Sequence, residues 1–216
     1  AAHSIKRPGR IRMTRFFRSQ TVAVCLAGVF LWELCLTGIP CPAHADEVLS
    51  QKHPLSEAGP KAGSTIHPFF VRAVTGPHRN RSVCYVCRYG SRPVVMVLVQ
   101  EVDPKLGTLL TTIDQIIDQN RLTGLRGFGV LVTDQSAQAV PILQTIAFDR
   151  KVHMPLTAAT TSIAGSSSHN LHPDAATTLI LYRNQKAVET ISLKSGQITS
   201  ARVSSVTQQI RKFIKR

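Results

Sequence analysis

Two kinds of apolar pattern alternate along the chain and predict alternating strands and helices. Residues 94–99 (VVMVLV) and 127–132 (GFGVLV) are continuous apolar runs, which are typical of strands buried on both faces of a sheet. Between them, apolar residues recur every three or four positions and predict a helix that ends near Asn120. Asp103 is its expected N-cap, and Pro104 fits its first turn. The apolar stripe consists of Leu106, Leu109, Leu110, Ile113, Ile116 and Ile117.

The same alternation continues on both sides of this central unit. Residues 69–74 predict a preceding strand, and residues 152–158 predict a short strand or an extended segment. A second helix is expected after residue 132, with Thr133 or Asp134 as its N-cap. The apolar face of that helix would carry Ile142, Leu143, Ile146 and Phe148.

The C-terminal part of the chain predicts an antiparallel hairpin followed by a helix. Residues 177–182 and 187–193 have strand character, and the short polar connection between them is typical of a hairpin. The closing helix is expected to begin near Thr199. Its apolar face would consist of Val203, Val206, Ile210 and Phe213, with Ile214 at the margin.

The predicted order is therefore β, β-α-β-α, a short β, and then β-β-α. Strands that alternate with crossover helices require a mostly parallel sheet, and the terminal hairpin adds antiparallel strands. We expect an α/β three-layer sandwich in which a central mixed β-sheet has helices on both faces.

Residues 1–45 have the three parts of a secretory signal peptide. A basic segment precedes an almost wholly apolar run at residues 21–39, and Ala43 and Ala45 occupy the small-residue positions that a signal peptidase recognises. The basic segment contains Arg10, Arg12, Arg15 and Arg18. We therefore expect the protein to be exported.

Cleavage after this signal would make Asp46 the first residue of the mature protein, and Met13 is a candidate translation start. The alternative is an uncleaved membrane anchor, because the apolar run approaches the roughly 20 residues that span a bilayer. Glu33 would be costly inside such an anchor. Basic residues before the run would stay in the cytoplasm, so both alternatives predict a periplasmic or extracellular domain.

Residues 46–66 predict a flexible leader, and residues 67–216 are long enough for one domain with its own core. Removing residues 1–45 takes away six of the 26 Lys and Arg and one of the 12 Asp and Glu, so the net charge falls from +14 to +9. The remaining basic residues are scattered, without an arginine-rich stripe or an aromatic platform, which argues against nucleic acid as a partner. No phosphate-binding glycine loop occurs, so we expect no cofactor. We expect membrane contact only through the N-terminal segment, if it is uncleaved.

Histidine and serine patterns outside the cysteine pair predict little chemistry. The segment of residues 165–169 (GSSSH) lacks the GxSxG elbow of a serine nucleophile and is expected to be a solvated loop. His169 and His172 have a spacing that metal ligands use, but no third ligand accompanies them. We expect both histidines at the surface.

The cysteine count is the most informative feature of the composition. Cys25, Cys35 and Cys41 belong to the expected signal, which leaves only Cys84 and Cys87 in the domain. A CxxC pair in a compartment that permits disulfides predicts a redox pair or a disulfide.

Three interpretations of this pair are open. In the first, Cys84 and Cys87 exchange disulfides, and Arg88, Arg81 and Arg92 favour the thiolate. In the second, the pair is a structural disulfide that fixes a turn beside Tyr85, with a small stabilising effect because the ring is short. In the third, the cysteines are half of a metal site that needs two more ligands. His78 would be the nearest candidate ligand, and we assign no metal.

The order of elements resembles the thioredoxin superfamily, and more closely its redoxin branch. The residues that carry the resemblance are 74–76 (VTG), 92–95 (RPVV), 177–181 (TTLIL) and the helix from Thr199. Residues 75–95 also resemble a group of exported bacterial proteins with a TGP…CYxCxYG…RPVV stretch. The resemblance covers residues 69–214 and implies a thioredoxin-like fold and a protein thiol or disulfide as partner.

The chain departs from this family at its usual active site. Thioredoxin-like enzymes place their reactive cysteine directly after the central strand, but residues 100–104 (QEVDP) contain none. The proline that precedes the hairpin in the family is replaced by Ala175 and Ala176. Two hypotheses follow: thiol-disulfide exchange through the displaced pair, with Cys84 attacking and Cys87 resolving, or a non-catalytic binding module with a structural disulfide. The enzymatic activity is left open.

Overall fold

The computed structural model describes residues 59–165 and 169–215. The expected signal peptide at residues 1–45, most of the leader at 46–66, and residues 166–168 of the serine-rich loop lie outside the described residues. Within the described ranges, none of the helices combines the length and the apolarity needed to cross a bilayer.

Among residues 59–165 and 169–215, seven strands form one mixed sheet in the order β2-β1-β5-β4-β3-β6-β7. The strands are β1 (Val71–Ala73), β2 (Ser82–Val83), β3 (Val94–Val99), β4 (Arg126–Val132), β5 (Leu156–Ala159), β6 (Thr177–Arg183) and β7 (Lys186–Leu193). At the centre, β3 pairs with β4 and β4 with β5 in parallel, whereas β6 and β7 continue the sheet antiparallel on one side and β1 and β2 on the other.

In the described part of the chain, four α-helices accompany this sheet: α1 (Tyr85–Tyr89), α2 (Leu106–Gln119), α3 (Ser136–Arg150) and α4 (Ser200–Lys215). A short 3₁₀ helix, Thr161–Ala164, follows β5. All six residues of β3 are buried, as the continuous apolar run predicts for a strand covered on both faces. The predicted order of the long elements is confirmed.

Successive side chains of β3 enter two separate cores, because neighbouring residues of a strand point to opposite faces. Val95, Val97 and Val99 lie in the core that α2, α3 and α4 cover. Val94, Met96 and Leu98 lie in the core that contains Tyr85 and Val86 of α1. The three-layer sandwich is therefore confirmed, with the long helices on one face and the short helices on the other.

The inward face of α3 differs from the sequence prediction. Ala139 and Leu143 are buried, whereas Ile142 is 38% exposed and Phe148 is 84% exposed. Phe148 follows Leu143 by five residues, which at about 100° per residue turns it well away from the inner face. Ala139 is as buried as the residues of the core strands, and a pattern restricted to large apolar residues misses it.

The polar residues expected to cap α2 and α3 have other partners. α2 begins at Leu106, and Asp103 instead accepts hydrogen bonds from the backbone N–H groups of Lys105 (2.7 Å) and Gly196 (2.8 Å). Asp134 accepts from the backbone N–H and the hydroxyl of Thr161 (3.0 and 2.7 Å). Asp103 thus links the end of β3 to the loop between β7 and α4, and Asp134 links the end of β4 to the start of the 3₁₀ helix, so neither is the residue that precedes α2 or α3.

Candidate functional site

The CxxC pair forms a disulfide at the start of α1. Cys84 is the residue before the helix, Cys87 lies within it, and their Cα atoms are 5.4 Å apart. The backbone N–H of Cys87 donates to Sγ of Cys84 over 3.1 Å. The sequence predicted no helix here, since a helix of five residues is too short to show a periodicity. The two-residue strand β2, which leads into α1, was missed for the same reason.

The two cysteines differ in accessibility. Cys84 is 7% exposed and belongs to the core on the short-helix side of the sheet, whereas Cys87 is exposed. A thiol or thiolate from another protein can therefore reach the side chain of Cys87 far more easily than that of Cys84.

Aromatic packing fixes the position of α1 on the sheet. The ring of Tyr85 stacks on Phe128 of β4 with 5.1 Å between centroids, and Tyr89 lies 5.5 Å from Tyr85. Burial raises the pKa of both tyrosines above the usual value, and the charge of Arg88 opposes that rise. Both hydroxyls therefore stay protonated at neutral pH, beside the positive charge of Arg88.

The predicted supporting residues are only partly brought together. Arg88 and Tyr85 lie on α1 with the cysteines, and the backbone N–H of Arg88 donates to the carbonyl of Cys84. Arg81 is exposed in the turn before β2, where its carbonyl accepts from the backbone N–H of Ala73. Among the described residues, no side-chain hydrogen bond or ion pair of Arg81 was found.

The position that carries the reactive cysteine in thioredoxin-like enzymes is closed by hydrogen bonds in this chain. The side chain of Gln100 donates to the carbonyls of His172 (2.8 Å) and Ala175 (2.6 Å). The backbone N–H groups of Gln100 and Glu101 both donate to the carbonyl of Ala176, and the described residues contain no cis peptide bond. The donors that would face a substrate at this edge are thus used within the protein.

A cavity of about 530 Å³ adjoins α1 on the opposite edge of the sheet, where β3, β4 and β5 begin. It is lined by Pro77, His78, Tyr85, Arg88, Tyr89, Arg92, Ile117, Arg121, Arg126, Gly127, His153, Met154 and Pro155. The lining contains four arginines and two histidines but no acidic residue. The sequence did not predict this cluster, because its members come from five separate segments of the chain.

The histidines do not form a metal site with the cysteine pair in the described structure. His169 was expected at the surface, but it is 1% exposed, with Nδ1 3.0 Å from the carbonyl oxygen of Ile163. That expectation was wrong because the ring packs edge-on against Phe69, at 4.8 Å between centroids. His172 is half-buried, and its Nδ1 accepts from the backbone N–H of Asp174. In the disulfide, neither cysteine sulfur is a thiolate that could bind a metal.

Comparison with family models and with curated proteins finds no match to this chain. Solved structures do match. A candidate thiol:disulfide interchange protein DsbE from Chlorobium tepidum aligns with a TM-score of 0.53 and 12% identity, over 72% of this chain and 99% of that chain. A DsbF homologue from Corynebacterium diphtheriae aligns with a TM-score of 0.54 and 15% identity, over 71% and 86%. A yeast mitochondrial 1-Cys peroxiredoxin aligns with a TM-score of 0.52 and 14% identity, over 70% and 75%. These likenesses confirm the thioredoxin-like fold.

Proposed function

We propose that this chain is an exported thioredoxin-fold protein that exchanges disulfides with protein thiols through Cys84 and Cys87. The observation that carries the proposal is a disulfide between the only two cysteines beyond residue 45, one of which is exposed. Export follows from the signal-like composition of residues 1–45 and supplies a compartment in which such a disulfide persists. The fold it shares with thiol:disulfide interchange proteins agrees with this chemistry.

Accessibility favours Cys87 as the sulfur that meets the partner. A thiolate of a partner protein attacks Sγ of Cys87, the Cys84–Cys87 bond breaks, and a mixed disulfide forms between the partner and Cys87. Cys84 leaves as a thiolate, which the N–H of Cys87 at 3.1 Å is placed to stabilise. A second thiol of the partner then displaces Cys87. The partner ends as a disulfide, and this chain gains two electrons and two protons as a dithiol.

Analogy with other CxxC pairs makes the opposite assignment, with Cys84 attacking and Cys87 resolving. The 7% exposure of Cys84 opposes that order, because an attacking sulfur must approach its target along the line of the bond that breaks. Arg88, adjacent to Cys87 in the chain, supports either thiolate by its positive charge.

Redox titration is the primary test. The full chain is equilibrated in thiol-disulfide buffers, and the fraction of the Cys84–Cys87 disulfide is measured by thiol alkylation and mass spectrometry. An exchange-active pair should have a reduction potential above about −300 mV, the range below which structural disulfides fall. The reduced chain should also catalyse the reduction of insulin. A lower potential together with no turnover would contradict the proposal.

Single-cysteine variants test the order of attack. In Cys84→Ser the exposed Cys87 should accumulate a mixed disulfide with a model disulfide substrate, whereas in Cys87→Ser the buried Cys84 should react far more slowly. Circular dichroism of both variants provides the control for folding. The reverse ranking of the two variants would restore Cys84 as the attacking residue.

A second candidate function is a non-catalytic binding module that keeps a structural disulfide. Two observations favour it. Cys84 is buried, and the side chain of Gln100 donates its hydrogen bonds to carbonyl groups within the protein. In that case the double variant Cys84→Ser, Cys87→Ser should be only slightly less stable. Disulfides contribute roughly 0–5 kcal/mol to the free energy of unfolding, and a short ring lies at the low end of that range. It should keep the biological role of the protein, which the exchange mechanism does not allow.

A further inference from the structure

The arginine-lined cavity beside α1 is the strongest feature that disulfide exchange does not explain. We propose that it binds a small molecule with two or more anionic oxygen groups, either phosphoryl or carboxylate. Binding of a ligand at this cavity does not require disulfide exchange, although Arg88 on α1 lies beside both the cavity and the cysteines. We call this space the arginine cavity. It is lined by Arg88, Arg92, Arg121, Arg126 and Tyr85 together with the other lining residues already named.

Three of the four arginines carry a charge that the described residues do not neutralise. Arg121 pairs with Asp118 at 2.7 Å, but no ion pair of the described residues involves Arg88, Arg92 or Arg126. Among the described residues, the acidic groups that form ion pairs with the lining are Asp118 and Asp114, whose contacts are with Arg121 and with His153. Several guanidinium groups around one concave space repel one another, and an anion in that space would relieve the repulsion.

One of these guanidinium groups is held in place by the backbone. Nη1 of Arg126 donates to the carbonyls of Leu125 (2.7 Å) and Arg121 (3.2 Å). Arg126 is half-buried, so its charge is less exposed to water than that of a surface arginine. A fixed, partly dehydrated guanidinium loses little freedom when it binds an anion, which favours binding.

A buried hydroxyl at the same cavity lacks a hydrogen-bond partner. Tyr85 is 2% exposed and lines the cavity, and no described residue accepts from or donates to its hydroxyl. The neighbouring Tyr89 donates its hydroxyl to the carbonyl of Gly127 at 3.4 Å. Buried polar groups are almost always satisfied, so the hydroxyl of Tyr85 indicates a missing partner. The hydroxyl itself has almost no accessible surface, so an oxygen of a ligand would reach it only if neighbouring side chains moved.

Size and composition of the cavity restrict the ligand. A volume of about 530 Å³ is within the range of sites that enclose small molecules, and it exceeds what one simple ion would fill. Guanidinium groups bind carboxylate and phosphoryl oxygens in the same bidentate geometry. Three unneutralised arginines therefore fit a ligand with at least two anionic groups, and the rings of Tyr85 and Tyr89 contribute an aromatic wall.

Isothermal titration calorimetry of the full chain tests this site, with pyrophosphate and citrate as separate probes at about 0.15 M salt, where long-range attraction is screened. At least one probe should bind with a stoichiometry of one, and the stronger probe distinguishes phosphoryl from carboxylate chemistry. The variant Arg88→Gln, Arg92→Gln should weaken that binding by about tenfold or more. Tyr85→Phe removes a hydroxyl with no partner in the protein and almost no accessible surface, so it should change the affinity less than twofold and should not lower the melting temperature.

The matched control is Arg72→Gln, Arg79→Gln, which removes the same charge from two exposed positions outside the arginine cavity. It should change the affinity less than twofold. Saturable binding by neither probe, or an equal loss in the control, would overturn the proposal in favour of a general basic surface. Because these titrations use the oxidised chain and do not involve exchange, their failure is independent of the redox result.

Discussion

Asp114 is a buried carboxylate that joins α2 to the segment before β5. It is 3% exposed, and its two oxygens accept hydrogen bonds from the backbone N–H groups of His153 and Met154, each at 2.7 Å. Both N–H groups belong to the segment that leads into β5. The carboxylate accepts hydrogen bonds that, within a sheet, the carbonyl groups of a neighbouring strand would accept. A charged acceptor makes such bonds stronger than a neutral one would.

Replacing Asp114 by Ala should destabilise the protein by about 2–4 kcal/mol, because two backbone donors, that of Met154 buried and that of His153 part-buried, lose a charged acceptor. The free energy of unfolding from urea titration measures this loss. Asp118→Ala is the matched control, since Asp118 is exposed and pairs with Arg121 three residues away in the chain. That variant should lose no more than about 1 kcal/mol. Equal losses in the two variants would contradict the role assigned to Asp114.

Single residues also explain why the candidate sites were hard to predict. The sequence identified Cys84 and Cys87 by their spacing alone, but their unequal exposure depends on how α1 packs against Phe128. Asp114 was not noticed, although it lies four residues after Leu110 on the buried face of α2. A charged residue inside an apolar helical stripe is the signal that would have indicated it.

The two-residue turn between β6 and β7 does not have the sequence that its backbone geometry favours. Asn184 and Gln185 both have positive φ, at 53° and 57°, and they connect the paired residues Arg183 and Lys186. A two-residue turn of this kind matches the twist of the strands, and Asn-Gly is its preferred sequence. Asn tolerates this conformation, whereas Gln adopts it at a cost.

Gln185→Gly should therefore stabilise the protein by roughly 0.5–1 kcal/mol, because glycine adopts positive φ without strain. The same substitution at Gln115, which is exposed in the middle of α2, should destabilise it by about 1 kcal/mol. Thermal unfolding of the two variants gives the comparison. Two shifts of the same sign would show that the turn is not strained at Gln185.

Long elements were predicted well, and short ones were missed for a physical reason. The strand at residues 94–99 agrees in both bounds with β3, because burial on both faces produces an unbroken apolar run. α1 and β2 contain five and two residues, fewer than any periodic pattern needs. Since α1 carries the cysteines and borders the arginine cavity, the part of the fold nearest the proposed chemistry was the part least visible in the sequence.

At the scale of the whole molecule, the two edges of the parallel strands differ in the polar groups that they carry. At the edge where β3 ends, Gln100 and Asp103 bind backbone groups of neighbouring loops. At the edge where β3 begins, a disulfide, an open cavity and unneutralised arginines lie together. The sequence predicted the absence of cysteine at the first edge, but the second edge is assembled from distant segments and depends on the fold.

The stability of the whole molecule should depend on pH through His169, a buried histidine between the 3₁₀ helix and Phe69. Burial lowers the pKa of His169 below its usual value of 6.5, against the raising effect of its hydrogen bond to Ile163. Its Nε2 is buried without a partner among the described residues, so a second proton would remain unsatisfied there. In the unfolded chain the same ring takes up a proton near pH 6.5.

As the pH falls below about 6.5, the unfolded state therefore binds a proton that the folded state does not, and the free energy of unfolding decreases by up to about 1.4 kcal/mol per pH unit. His169→Asn retains a donor for Ile163 and cannot titrate, so its stability should fall less between pH 7 and about 5 than that of the natural chain. His172→Asn is the control, because its side-chain oxygen can accept from Asp174 as Nδ1 does. Urea unfolding at each pH measures the slopes. A slope that persists in His169→Asn, or that disappears equally in His172→Asn, would assign the acid sensitivity to other groups.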